Sequence, residues 1–160
     1  NDQRRSFDLL SAVQDTIATY MPRLRRVQCE VVLQIPEGMV FTSYPGALYQ
    51  ILNNLINNAI NHAFENRQGG TITVRAEEVD DDIIELMFSD DGCGMPEDVL
   101  KRVFDPFYTT KMGQGGTGLG MNIVYNIVTG ILGGRITIDS APGIGTAVRM
   151  LLPRVAPQRA

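Results

Sequence analysis

The segment from Leu48 to Phe64 carries two stripes of different chemistry along one helical pattern. Apolar residues recur at alternating steps of three and one, as in a helix that packs on a core. These residues are Leu48, Ile51, Leu52, Leu55, Ile56, Ala59, Ile60, Ala63 and Phe64. Beside them, at about 100° per residue, Asn54, Asn58 and Asn61 fall almost in line, with Asn57 next to them. Asparagine is a poor helix former, so the five asparagines between 53 and 61 cost about 3 kcal/mol of helix propensity.

Two interpretations of this amide stripe remain open on the pattern alone. It is either a structural face, whose amides are solvated or bind neighbouring loops, or a row of ligands. Solvated faces are usually built from Lys, Glu and Arg, which favour the helix. Neutral carbonyl oxygens suit a hard cation that keeps part of its water shell, and Mg²⁺ bound with phosphates is the commonest such case.

The same reading of periodicity predicts two further helices and six strands. One helix runs from about Leu10 to Leu24, with Asp8 or Ser11 as N-cap and a kink or end at Pro22, and the other from about Leu119 to Leu132. The predicted strands are Cys29–Ile35, Met39–Thr42, Thr71–Glu78, Ile83–Ser89, Arg135–Ser140 and Ala147–Leu152. Most of the strands form hairpins, which predicts an α+β two-layer sandwich with about three helices on one face of a mixed, mostly antiparallel sheet.

Composition indicates one ordinary globular domain over residues 1–160. The chain is 44% hydrophobic and 20% charged, which is enough to bury one core. Its net charge of −4 argues against a nucleic-acid or anionic-membrane partner. Two cysteines without framework spacing and a single histidine argue against a disulfide scaffold and a Cys/His zinc site. We expect a reducing, cytoplasmic setting.

The chain has no apolar run of about 18 residues and no apolar core of a signal peptide near its start. It begins at Asn1 without a methionine. We therefore expect a fragment of a longer protein, and we leave open whether that protein is anchored in a membrane.

A glycine-rich run at 113–120, GQGGTGLG, indicates a phosphate site. Glycines let backbone amides approach an anion, and the predicted helix that follows favours phosphate at its start. The run also satisfies G-x-G-x-x-G, but a dinucleotide fingerprint follows a strand, and a loop precedes this one. The phosphate-binding P-loop motif is absent from the sequence.

Two further segments each have a structural and a functional interpretation. Asp90 ends a predicted strand before a Gly-x-Gly turn, where it either caps the turn or accepts a hydrogen bond from an exocyclic amine. The segment FDPFYTTK at 104–111 is either a loop anchored by aromatic residues or part of a lid over a site.

Five motifs in order resemble one family. They are the Asn-rich helix, DDGCGM at 90–95, FDPFYTTK at 104–111, GGTGLGM at 115–121 and GIGT at 143–146. Together they resemble the catalytic ATP-binding domain of sensor histidine kinases, within a superfamily that includes gyrase, mismatch-repair ATPases and a heat-shock chaperone. The resemblance covers about residues 7–153, and the FDPFYTTK motif is similar to that of the kinase branch.

The resemblance implies a role for each motif residue. Asn58 would be the Mg²⁺ ligand and Asn54 would line the phosphate pocket, and both would be catalytic. Asp90 would receive the adenine amine, and residues 105–117 would form the ATP lid. The implied nucleotide-binding set is Asn54, Asn58, Asn61, Asp90, Gly92, Gly94, Lys111, Gly116, Thr117, Gly118, Leu119, Gly120 and Thr146.

By the same resemblance, the partners are ATP or ADP, an upstream phosphoacceptor domain of the same protein and the receiver domain of a response regulator. The fragment would be a monomer and the whole protein a homodimer. Many relatives carry Lys or Arg where this chain has Asn61, so this residue cannot supply their cationic phosphate contact. His62, the single histidine, is interpreted as a helix-surface or pocket-edge residue and not as the phosphoacceptor.

The activity implied is transfer of the γ-phosphate of ATP to a histidine on a domain that is missing here. The alternatives are a gyrase- or chaperone-type ATPase, a degenerate docking module on the same fold and a protein serine kinase. In the ATPase relatives a glutamate occupies the place of Asn54, and an amide cannot replace that general base. We expect this fragment to bind ATP or ADP without phosphorylating itself.

Overall fold

The computed structural model describes residues 2–64, 69–106 and 120–159. In chain order its elements are β1 (Arg5–Asp8), α1 (Leu9–Arg26), β2 (Cys29–Gln34), β3 (Val40–Ser43), α2 (Pro45–Asn58), β4 (Gly70–Glu78), β5 (Ile83–Asp90), α3 (Glu97–Leu100), α4 (Gly120–Asn126), β6 (Arg135–Ala141) and β7 (Gly145–Pro153). A π-helical turn extends α2 over Ala59–Ala63, and another extends α4 over Ile127–Ile131.

Five strands form one sheet in the order β2-β4-β5-β7-β6. The pair β2 and β4 is parallel, and the other three pairs are antiparallel. The helices pack on one face of this sheet, so the predicted α+β two-layer sandwich is confirmed. The three aspartates at residues 80–82 form the turn of the β4–β5 hairpin that the alternating pattern predicts.

The core lies between that face of the sheet and the helices. On β5, Ile84, Leu86 and Phe88 alternate with residues of the opposite face and are at most 3% exposed. Ile51, Leu52 and Ile56 of α2 are fully buried and belong to the same hydrophobic core. The alternation also places Asp90, the last residue of β5, on the helix-facing side, where the core gives way to a polar site.

The N-terminal region differs from the sequence pattern. Residues 5–8 fall in a polar stretch that predicts no strand, yet they form β1, which pairs antiparallel with β3. Asp8 is the N-cap of α1, because the Ser11 backbone N–H donates to its carboxylate at 2.9 Å, and this bond lowers the pKa of Asp8. An end of α1 at Pro22 is wrong, since the helix continues to Arg26.

Within the described residues, no helix combines the length and the hydropathy that crossing a membrane would need.

Candidate functional site

Asp90 anchors one side of the candidate site at the end of β5. Its carboxylate accepts a hydrogen bond from the Gly92 backbone N–H at 2.9 Å. This bond is the turn-capping role that the sequence allows, and it fixes the orientation of a half-buried carboxylate. The two interpretations of Asp90 are therefore compatible, because a carboxylate can accept several hydrogen bonds at once.

The loop after Asp90 is held against the end of the α2 extension. The Cys93 N–H donates to the Ala63 carbonyl at 2.7 Å, and the Cys93 thiol lies 3.3 Å from the His62 carbonyl. The Ala63 carbonyl belongs to the last turn of the helix, where the chain supplies no later helical N–H to bond it. The loop therefore satisfies the end of the helix, and the helix fixes the loop beside Asp90.

Gly92 and Gly94 are required by space in this loop. A Cβ on Gly92 would overlap the Ala63 carbonyl oxygen, and one on Gly94 would overlap the Ala141 carbonyl oxygen. Gly94 also has a φ of +71°, a conformation that side chains disfavour. These two glycines let the loop lie close to both α2 and β6.

Thr146 lies directly opposite Asp90 across the β5–β7 pair. Its hydroxyl oxygen is 2.8 Å from that of Ser140, its partner on β6. The Ser140 hydroxyl also donates to the Gly145 carbonyl at 2.9 Å and accepts from the Met95 N–H at 2.8 Å. Ser140 therefore joins β6, β7 and the loop at residues 91–96, which we call the glycine loop, although no pattern in the sequence selects it. The signal for it is its position, because it follows Ile136 and Ile138 on the helix-facing side of β6.

The other side of the site is formed where the amide stripe of α2 meets the start of α4. A Cβ placed on Gly120 would lie 3.4 Å from Asn58 Oδ1 and 4.0 Å from Asn54 Oδ1. Asn54 donates through Nδ2 to the Gln50 carbonyl at 3.0 Å, so its amide orientation is fixed by its own helix. Two half-buried amide groups thus converge on the first residue of α4.

The remaining asparagines of the stripe have different surroundings. Asn57 faces α1, where Arg23 donates to its Oδ1 at 2.6 Å, while its Nδ2 donates to the Asn53 carbonyl at 2.8 Å. Asn57 therefore connects two helices and does not face Gly120. Asn61 is exposed on the π-helical turn, and no hydrogen bond within the described part of the chain joins it to Asn54 or Asn58.

Several predicted phosphate and lid residues lie outside the described residues. These are Lys111, Gly116, Thr117, Gly118 and Leu119, together with most of the segment 105–117. The entry to that segment is fixed at Phe104. Its ring packs on Tyr125 with centroids 5.2 Å apart, and its carbonyl accepts from Asn122 Nδ2 at 3.2 Å. Anchoring by an aromatic residue, one interpretation of FDPFYTTK, is thus observed at Phe104.

The donor chemistry of this side suits a hard divalent cation. Asn58 contributes a neutral amide oxygen. Its neighbour on α4 is Gly120, which has no side chain to block that oxygen. Mg²⁺ in phosphate sites typically takes only one or two protein oxygens and completes its shell with phosphate and water. Asn58, with Asn54 one turn earlier, fits that pattern.

The two cysteines should differ sharply in reactivity. Cys93 is exposed in the glycine loop, whereas Cys29 is buried, and its burial raises the pKa of its thiol to about 11. At pH 8 only about one Cys29 in a thousand would be a thiolate, the reactive form. Iodoacetamide should therefore modify Cys93 alone in the folded protein and both cysteines in denaturant, as read by mass spectrometry of peptides. Equal rates in the folded protein would contradict the burial of Cys29.

Comparison with known proteins links this arrangement to a family. A family model described as histidine kinase-, DNA gyrase B- and HSP90-like ATPase matches residues 44–156. The sensor kinase CckA of Brucella abortus is 32% identical over 84% of this chain and 16% of its own length. The sensor histidine kinase ZraS of Salmonella typhi is 43% identical over 72% of this chain and 23% of its own length. The chain thus spans less than a quarter of either relative.

Solved structures share the fold along nearly the whole chain. The catalytic domain of the histidine kinase ThkA, in a nucleotide-free form, has a TM-score of 0.83 at 24% identity and covers 96% of this chain and 97% of its own. Full-length ShkA in complex with AMPPNP has a TM-score of 0.79 at 23% identity, covering 98% of this chain and 32% of its own. ThkA in complex with the response regulator TrrA has a TM-score of 0.77 at 22% identity, covering 94% and 42%. At these identities the similarity shows a common fold.

Proposed function

The chain belongs to the histidine kinase-, DNA gyrase B- and HSP90-like ATPase family, and on that premise we propose that it binds ATP with Mg²⁺ and donates the γ-phosphate to a histidine on an upstream dimerisation domain. The observation that carries this proposal is that Asn54 and Asn58 converge on Gly120. They lie on the same helix whose extension ends at Ala63 and holds the loop after Asp90. The relatives CckA and ZraS are sensor kinases, which supports a kinase function for this chain and a role in two-component signalling.

Asp90 and Thr146 recognise the base in this proposal. The exocyclic amine of adenine donates to the Asp90 carboxylate, and Thr146 lies at the neighbouring position of β7. Gly92 and Gly94 let the loop beside the base pack closely on its neighbours, because any side chain on them would overlap backbone carbonyls. The half-buried setting strengthens each polar contact relative to one in water.

Asn58 and Asn54 act on the phosphate end. Asn58 offers its Oδ1 as the metal ligand, and Asn54 lies one helical turn away facing the same residue of α4. Mg²⁺ bound there would neutralise phosphate charge as the γ-phosphoryl group leaves. Gly120, as the start of α4, leaves room for the phosphates to approach the helix.

Phosphoryl transfer demands mainly positioning and charge neutralisation, and these residues can supply both. Hydrolysis would instead demand a general base that activates water, and the Asn54 amide cannot accept a proton at neutral pH. We therefore expect ATP hydrolysis by this chain to be slow or absent. Rapid turnover would favour the gyrase- or chaperone-type ATPase.

The two complexes among these solved structures suggest further partners for this chain. ShkA binds AMPPNP and ThkA binds the response regulator TrrA. By extension, we propose ATP and ADP as the ligands of this chain, and a phosphoacceptor domain and a receiver domain as its protein partners.

The proposal is tested by incubating the chain with γ-labelled ATP and Mg²⁺ and following binding, label and released phosphate together. We expect ATP to bind, no label to stay on the protein and little phosphate to be released. Label on His62 would overturn the assignment of the acceptor to another domain. A failure to bind ATP or ADP would leave only a docking module and would overturn the proposal as a whole.

A further inference from the structure

One row of residues crosses the whole sheet at the level of Asp90. Successive register partners along it are Val31, Ile72, Asp90, Thr146 and Ser140, one from each of the five strands. The row lies on the helix-facing side, where Ile72 is fully buried. Its apolar half therefore gives way to three adjacent polar side chains, with Thr146 in the centre.

The hydrogen bonds of Ser140 determine which way those polar groups point. A serine hydroxyl has one proton to donate and two lone pairs that accept. The Gly145 carbonyl, 2.9 Å away, can only accept, so the Ser140 proton is directed to it. The Met95 N–H, 2.8 Å away, can only donate and uses one lone pair. The contact with Thr146 at 2.8 Å is then a bond that Thr146 donates and Ser140 accepts.

We propose that Ser140 is a positioning residue for the base pocket, the part of the site formed by Asp90 and Thr146. It determines whether the Thr146 hydroxyl donates or accepts a hydrogen bond there. By taking the Thr146 proton, it leaves the Thr146 hydroxyl with only lone pairs to offer, next to the Asp90 carboxylate on the adjacent strand. Two neighbouring acceptors select a ligand edge that donates, such as the 6-amino group of a purine. A 6-oxo purine presents an acceptor at that place and is disfavoured. This inference rests on the proposed nucleotide binding.

Removing the Ser140 hydroxyl would change the pocket in a defined way. The Thr146 hydroxyl would lose its acceptor and could turn its proton towards the ligand, where it could bond a 6-oxo group. The Gly145 carbonyl and the Met95 N–H would lose a partner as well, so some stability would also be lost. The preference between nucleotides and the folding stability of each variant must therefore be measured separately.

The test compares the binding of ATP and inosine triphosphate, which differ at the purine 6-position by an amino against an oxo group. Calorimetry would give both dissociation constants for the unmodified chain, Ser140→Ala and Ser140→Thr. We expect the preference for ATP to fall about tenfold in Ser140→Ala, the worth of one hydrogen bond of ordinary strength. Ser140→Thr retains a hydroxyl and should retain the preference.

A merely structural role would weaken both nucleotides by the same factor and leave their ratio unchanged, and that result would overturn the inference. Should Ser140→Ala not fold, as judged by thermal unfolding, Ser140→Cys replaces it, because sulfur nearly preserves the volume but accepts weakly. An unchanged ratio in that variant has the same meaning. If the unmodified chain binds neither nucleotide, the proposed function itself is wrong. If it binds ATP selectively and the ratio does not move, only the role of Ser140 is wrong.

Discussion

Replacing Asn58 with alanine should weaken binding of Mg²⁺·ATP by on the order of a hundredfold, because the variant loses the amide oxygen proposed as the metal ligand. Asn58 lies half-buried beside Gly120 of α4, and a glycine has no side chain that could replace the lost oxygen. Calorimetric titration with ATP in Mg²⁺ and again in EDTA measures the effect. The gain in affinity that Mg²⁺ gives the unmodified chain should be absent from the variant.

Asn57→Ala is the matched control for this experiment. It removes the same group from the adjacent residue of the same helix, but Asn57 is bonded to Arg23 of α1 and to the Asn53 carbonyl. Its loss should lower the free energy of unfolding by about 1 kcal/mol and leave the Mg²⁺ dependence intact. If Asn58→Ala keeps its Mg²⁺ dependence, or both variants lose it equally, Asn58 is not the ligand.

Gly94→Ala should lower the free energy of unfolding by about 3 kcal/mol or more and impair ATP binding with it. Two costs combine at this residue. The backbone has a φ of +71°, which costs a non-glycine residue about 1–2 kcal/mol, and the new Cβ would overlap the Ala141 carbonyl oxygen, which forces the loop or β6 to move. Urea unfolding measures the first effect, and calorimetry with ATP measures the second.

Gly143→Ala separates those two costs. Gly143 has a similar φ of +79°, but nothing lies within 4 Å of the position that its Cβ would take. The variant should therefore lose only about 1–2 kcal/mol and retain ATP binding. Equal losses in the two variants would show that the close approach of the glycine loop to β6 does not contribute.

Much of the fold follows from local patterns. The alternation along β5 predicts a strand with one buried face, and the apolar stripe of α2 predicts a helix on the core, because both periods follow from backbone geometry alone. The four residues of β1 have no such pattern. That strand exists because it pairs with β3, where Phe7 lies opposite Phe41 with ring centroids 6.1 Å apart. Such a contact between distant segments leaves no local signal.

For the candidate site, the sequence indicates residue types and says less about their geometry. The unusual cost of the amide stripe indicates a purpose, and the structure places Asn54 and Asn58 beside Gly120. The stripe does not reveal that Asn57 accepts a hydrogen bond from Arg23, since that contact depends on where α1 crosses α2. Nor does it reveal Ser140, whose role depends on the register of β6 with β7.

The hydrogen bond between the Cys93 N–H and the Ala63 carbonyl ties the loop after Asp90 to the helix that carries Asn58, so this helix would fix the spacing of the two ends of the proposed pocket. The proposed metal ligand Asn58 lies five residues before Ala63, whose carbonyl holds the loop after Asp90, and the residues from Ala59 to Ala63 form the π-helical turn. In the proposed pocket, the distance between the base end and the phosphate end is therefore set by one helix. Substitutions on its surface would leave that distance unchanged, whereas inserting a single residue between 58 and 63 would shift one end of the pocket against the other.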